Sequence, residues 1–136
     1  MKRTTRITAR RKQQTIRLQV RVDLPGTGRI GPGKIELLRQ IGEHQSIAAA
    51  ARAMDMSYRR AWLLVDELNK LFSQPVVAKW LGGKSRGGAS LTPAGARLVR
   101  SYDTVVRRAA EANRALLAEI LHSTQRAGRA AQRRSA

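Results

Sequence analysis

The chain has 136 residues, no cysteine, and 27 lysines and arginines against 9 aspartates and glutamates, a net charge of +18. That length fits one domain with a tail at either end and suffices to bury a core without cross-links. The lack of cysteine excludes disulfides and thiolate metal sites and suits a reducing cytoplasm, and no apolar run approaches the ~20 residues of a membrane span.

The charge is spread unevenly. Residues 1–12 carry six basic groups and residues 122–136 carry four, neither stretch with an acidic one. Most of the 27 basic groups therefore lie between them, and the central part is itself basic. Such an excess favours a polyanion: DNA, RNA or an anionic membrane surface. No apolar segment follows the basic N-terminus, so a secretory signal is not expected. Residues 1–14 read as a disordered basic arm and residues 122–136 as a basic flexible tail.

From Thr15 to Leu24 the sequence TIRLQVRVDL alternates, with Ile16, Leu18, Val20, Val22 and Leu24 on one side, which predicts a half-buried strand. Residues 25–33, PGTGRIGPG, predict a turn, with Pro32 near a helix start. Ile35, Leu37, Leu38 and Ile41 give a first helix its apolar face, and Gly42 is expected to end it. Ser46 is a good N-cap for an alanine-rich second helix with Ile47, Ala50, Ala51 and Met54 at helical spacing. Asp55 and Met56 form a turn. Ser57 then caps a third helix, with Ala61, Leu64, Val65, Leu68, Leu71 and Phe72 in one stripe and Pro75 as its stop.

Val76 to Trp80 predicts a short strand, Gly82 to Gly88 a loop tipped by Lys84, Ser85 and Arg86, and Ala89 to Leu91 the returning strand of a hairpin. Thr92 and Pro93 mark the N-cap and first position of a long helix through Leu121. Such a helix is longer than so small a core can cover, so part of it is expected to pack on a second copy. The order strand, three helices, hairpin, long helix is that of a winged helix-turn-helix over residues 15–121. The expected fold is mainly α with a small β component and a long C-terminal dimerisation helix.

In this architecture the first turns of the third helix face the DNA major groove. Arg59 lies nearly opposite the core stripe and Arg60 on its flank. Ser57 and Tyr58 stand at the N-terminal end, where free N–H groups and the helix dipole favour phosphate. Tyr58 is equally placed for packing, and Trp62 is expected to wedge under the hairpin or the first helix. The DNA-facing set is Ser46, Ser57, Tyr58, Arg59, Arg60, Lys84, Ser85 and Arg86. The glycine-rich loop lacks the strand–GxxxxGK[ST]–helix arrangement of a nucleotide-phosphate loop, because a strand follows it. No catalytic residue, metal site or cofactor is assigned. His44, in an inter-helix turn, and His122, at the end of the last helix, read as surface groups. A weak metal site of His44, Asp23 and Glu43 is a minor alternative.

The pieces GPGKIELLRQI at Gly31–Ile41, SIAAAARAMDMSYRRAW at Ser46–Trp62 and GGKSRGGASLTPAG at Gly82–Gly95 resemble the N-terminal DNA-binding domain of the ModE family of molybdate-responsive regulators. More distantly, the helix-turn-helix and the LTPAG junction resemble LysR-type regulators. The resemblance implies a winged-helix transcriptional regulator, dimeric and binding a palindromic operator in double-stranded DNA. It gives Ser57, Tyr58, Arg59 and Arg60 the recognition role and Lys84 and Arg86 the wing role. The family's oxyanion-binding residues have nothing to map onto in this sequence, so molybdate binding through the usual site is not expected, and the effector is open. The expected location is cytoplasmic, at the nucleoid, away from membranes. The alternative is a sequence-blind architectural nucleic-acid-binding protein, which the charge would also suit.

Overall fold

The structure, a computed structural model, describes residues 16–80 and 87–134, with the side chains of the last helix as far as 124. The elements in chain order are β1 (Val22–Asp23), β2 (Arg29–Ile30), α1 (Pro32–His44), α2 (Ile47–Ala53), α3 (Tyr58–Leu71), β3 (Val77–Trp80), β4 (Gly88–Leu91), α4 (Pro93–Ala112) and α5 (Arg114–Arg134). The fold is mainly helical with two small antiparallel hairpins, β1–β2 and β3–β4. It divides into two compact units, residues 19–105 and residues 106–134 with 16–18. Among the described residues no helix is long and apolar enough to cross a membrane.

In the unit of residues 19–105, α1 packs against α2 and β4, and α2 against α3. Ile35, Leu37, Leu38 and Ile41 of α1 are fully buried, as their spacing predicts. Ala50, Ala61 and Ala89, small and fully buried, let the three elements that carry them approach closely. Val65, Leu68, Val76 and Val77 complete the centre. Tyr102 of α4 donates its hydroxyl proton to the Val20 carbonyl at 2.6 Å, which ties the segment before β1 to the last helix of this unit. Arg39 grips Asp103 with two guanidinium nitrogens, one at 2.8 Å. Those hydrogen bonds hold the arginine pKa above its ordinary value, against the desolvation of a partly buried group. The pair is half exposed and contributes about 1 kcal/mol or less. A raised arginine pKa would withdraw that contribution only as pH climbs past the normal arginine range, so it is constant near neutrality.

Five boundaries differ from those expected of the sequence. The predicted strand over 15–24 is a ladder only at Val22–Asp23, which pairs with Arg29–Ile30 inside the predicted turn. The alternation of exposure from Ile16 to Arg21 survives without that ladder. Gly42 lies inside α1; the chain turns instead at Gln45, in the left-handed region at φ 53°, and His44 is the last helical residue. Helix α3 ends at Leu71, before Pro75. The long helix is divided at Asn113, where the Ala109 carbonyl accepts from both the Asn113 side-chain amide at 2.7 Å and its backbone N–H at 3.1 Å. Helix α5 then runs through Arg134, over the stretch expected to be a tail, so His122 stands within it.

Candidate nucleic-acid interface

Two helices joined by a four-residue turn build the candidate surface. Ser46 accepts a hydrogen bond from the Ala49 N–H at 3.1 Å and starts α2. Five alanines and few competing side chains keep this seven-residue helix intact. It ends where the Met56 N–H reaches back to the Ala51 carbonyl at 2.9 Å and Asp55 adopts φ 56°. Aspartate tolerates that left-handed turn better than most residues. Ser57 then accepts from the Arg60 N–H at 3.1 Å and starts α3.

Helix α3 has one buried and one open face. Ala61, Val65 and Leu68 are buried, whereas Tyr58, Arg59, Arg60, Trp62 and Leu63 are exposed. Tyr58 is 55% exposed, so it stands on the solvent side. Charge is graded along the helix. Asp66 pairs with Lys70 at 2.9 Å and Glu67 with Lys34 at 3.4 Å, so the acidic end is neutralised. Among the described residues, no carboxylate pairs with Arg59 or Arg60. The first turn of α3 thus combines two unpaired guanidinium groups with the positive end of a helix dipole.

The hairpin β3–β4 flanks this helix, with register Val77↔Leu91 to Trp80↔Gly88. Asn69 of α3 fixes where it begins: Oδ1 accepts from the N–H groups of Val76 (2.9 Å) and Val77 (3.0 Å), and Nδ2 donates to the Val77 carbonyl (3.1 Å). Thr92 accepts from the Gly95 N–H at 3.0 Å, as an N-cap does, and its hydroxyl donates to the Pro75 carbonyl at 2.7 Å. The other end of β4 is held to α1 by the Ala89 N–H on the Gln45 carbonyl at 3.2 Å.

Ser46, Ser57, Tyr58, Arg59 and Arg60 therefore all belong to the α2–turn–α3 segment, the two serines as caps and the other three as exposed side chains. Lys84, Ser85 and Arg86 lie outside the described residues. Trp62 sits beside the hairpin, with the Lys79 ammonium 3.8 Å from its ring centre. Asp23, Glu43 and His44 do not converge: Asp23 pairs with Arg21, His44 meets Gln40, and among the described residues no three such side chains are grouped to hold a metal ion.

One feature has no counterpart in the sequence reading. Arg60 shares a cavity of about 320 Å³ with Arg21, Arg29 and Lys34, so the β1–β2 hairpin adds basic groups beside the first turn of α3. These residues are far apart in sequence, and only their common charge hinted at the grouping.

The chain is 46% identical over 85 residues to the molybdenum-pterin-binding protein MopB of Rhodobacter capsulatus, a match covering 62% of this chain and 32% of that protein. It is 43% identical over 77 residues to MopA of the same organism, covering 57% and 29%. It is 38% identical over 76 residues to the DNA-binding transcriptional dual regulator ModE of Escherichia coli (strain K12), covering 56% and 29%. The chain is ModE-like over the matched span. It spans about a third, or less, of the length of these relatives. No protein-family model matches the chain.

Proposed function

We propose that the protein is a DNA-binding transcriptional regulator acting as a homodimer on a two-fold symmetric operator, with no catalytic step. In this reading α2 and α3 are a helix-turn-helix, α3 is the recognition helix and β3–β4 is the wing. The observation that carries it is the open first turn of α3, where Arg59 and Arg60 stand exposed with no acidic partner among the described residues. Likeness to the transcriptional regulator ModE supports the same reading.

Arg59 is assigned to a base edge, since a guanidinium bonds guanine O6 and N7 together. Arg60, near Arg21 and Arg29, is assigned to the flank of the groove, and Ser57 and Ser46 to phosphates at helix starts. Lys84, Ser85 and Arg86 are assigned to phosphate or minor-groove contact from the wing. The dimer is supported by Leu116 and Ile120 of α5, large apolar side chains 59% and 54% exposed and one helical turn apart.

The test is retention of fragmented genomic DNA by the purified protein near physiological salt, followed by sequencing. A short palindrome with regularly spaced half-sites is expected. Even coverage of the genome would replace this reading with that of an architectural binder. On the palindrome, Arg59→Ala should cost about 1–3 kcal/mol, roughly 5- to 150-fold in affinity, with little change on unrelated duplex. Lys84→Ala should weaken every sequence alike and reduce the salt slope. Equal losses for both variants on every sequence would overturn the assignment of roles.

A further inference from the structure

Three of the five aromatic residues in the chain, Tyr58, Trp62 and Trp80, do not join the core. They converge on one cavity of about 510 Å³ between the start of α2, the start of α3 and the β3–β4 hairpin. Trp62 and Trp80 are about 40% exposed and Tyr58 55%, so much aromatic surface faces water there. Exposed apolar surface of that kind is costly and marks a surface that meets something else. The volume lies in the range of small-molecule sites, about 300–1,000 Å³, and the walls are apolar with a few polar groups, as such sites are.

The shape is set by the hairpin register. Trp80 stands opposite Gly88, and a Cβ at position 88 would run into the indole. Glycine there lets the indole lie flat across the neighbouring strand, so the ring is held in place without filling the cavity. The backbone of Gly87 and Gly88 forms a wall without side chains. The opening is therefore suited to a planar body.

The charge of the lining is one-sided. Among the described residues Lys79 is the only ionised side chain in its lining, and no carboxylate lines it. Among the described residues Lys79 has no acidic partner; its ammonium rests on the Trp62 ring. Ser46 uses its oxygen as an acceptor for the Ala49 N–H, which leaves its hydroxyl proton free to donate. A cation, a hydroxyl donor and aromatic walls together complement a flat apolar body with a negative edge.

We propose that this cavity binds a flat aromatic anion, an aromatic carboxylate of one or two rings, with the ring against Trp62 and Trp80 and the carboxylate toward Lys79. The site belongs to the free protein and does not depend on the DNA reading, so either can fail alone.

The chain has two tryptophans and both line the cavity, so tryptophan emission reports on this site alone. The full chain is titrated with salicylate by calorimetry, with emission read in parallel and corrected for absorption, and with the neutral amide salicylamide as the matched probe. One saturable site per chain with a concurrent change in emission is expected. Salicylamide and the Lys79→Gln variant should each weaken binding by about tenfold, the scale of one charge interaction near a protein surface. Trp80→Leu should remove the site, with circular dichroism establishing that the variant is folded. Absence of saturation at millimolar salicylate overturns the proposal. So does binding that treats salicylate and salicylamide alike, a comparison that needs no variant. An emission change with duplex DNA but none with salicylate overturns it as well and gives the cavity to the nucleic acid.

Discussion

Gly95→Ala is expected to destabilise the protein by about 2–4 kcal/mol, a large effect for one methyl group. Gly95 is buried in the first turn of α4, and a Cβ added there would overlap the backbone carbonyl of Val76 and lie 3.0 Å from its carbon. Backbone cannot swing aside as a side-chain tip can, so helix or strand must shift. Overpacking of this kind costs about 1–3 kcal/mol. The shift would also pull on two bonds at the same junction, Thr92 N–H to the Val76 carbonyl at 3.0 Å and Thr92 hydroxyl to the Pro75 carbonyl at 2.7 Å. Each contributes about 1 kcal/mol. A thermal melt should show the midpoint falling by roughly 10 °C or more. Gly33→Ala is the matched control: it lies in the first turn of α1, where an added Cβ meets nothing within 4 Å. Its change should stay under about 1 kcal/mol and be stabilising, because alanine favours the helix and restricts the unfolded chain. If the two variants melt together, the close packing at Gly95 is wrong.

Asn69→Ala should cost about 2–4 kcal/mol. It strips partners from two backbone N–H groups and one carbonyl at Val76 and Val77, residues only 1–2% exposed. Each buried group left unpaired costs about 1–3 kcal/mol, and local relaxation recovers part of that. Asn69→Asp separates the contributions. It keeps the acceptor for both N–H groups and loses only the donor to the Val77 carbonyl, so its loss should be clearly smaller. Denaturant midpoints of the two variants give the comparison, and an alanine variant no weaker than the aspartate one would remove the splint from the account.

Much of this architecture is legible in the sequence, because its signals are local. The i, i+3, i+4 spacing of Ile35, Leu38 and Ile41, and of Ala61, Val65 and Leu68, fixes two buried faces. Ser46 and Ser57 announce helix starts through a chemistry complete within three residues. The misreadings fall where a partner lies elsewhere. Alternation holds in the exposure pattern only from Ile16 to Arg21; Val22, expected to face inward, is exposed where its strand pairs with Arg29–Ile30. Gly42 looks like a stop, yet α1 continues one half-turn further and closes on Gln45. For the candidate site, the exposure of Arg59 and Arg60 follows from the same periodicity, whereas that of Tyr58, equally placed for packing in the sequence, is decided by the structure. The grouping of Arg60 with Arg21 and Arg29, and of Trp62 with Trp80, depends on how the hairpins fold back. The assignments to Lys84, Ser85 and Arg86 rest on the sequence alone.

The hydroxyl of Tyr102 on the Val20 carbonyl closes 82 residues of chain, whereas the Asn69 contacts close seven or eight. The entropy of closing the longer loop exceeds that of the shorter by about 2 kcal/mol. Loop closure alone therefore favours the α3–β3 corner over the latch at Tyr102. The edge before β1 is expected to be the looser of the two, with amide exchange faster around Val20 than at Val76 and Val77, beside the helix that presents Tyr58, Arg59 and Arg60.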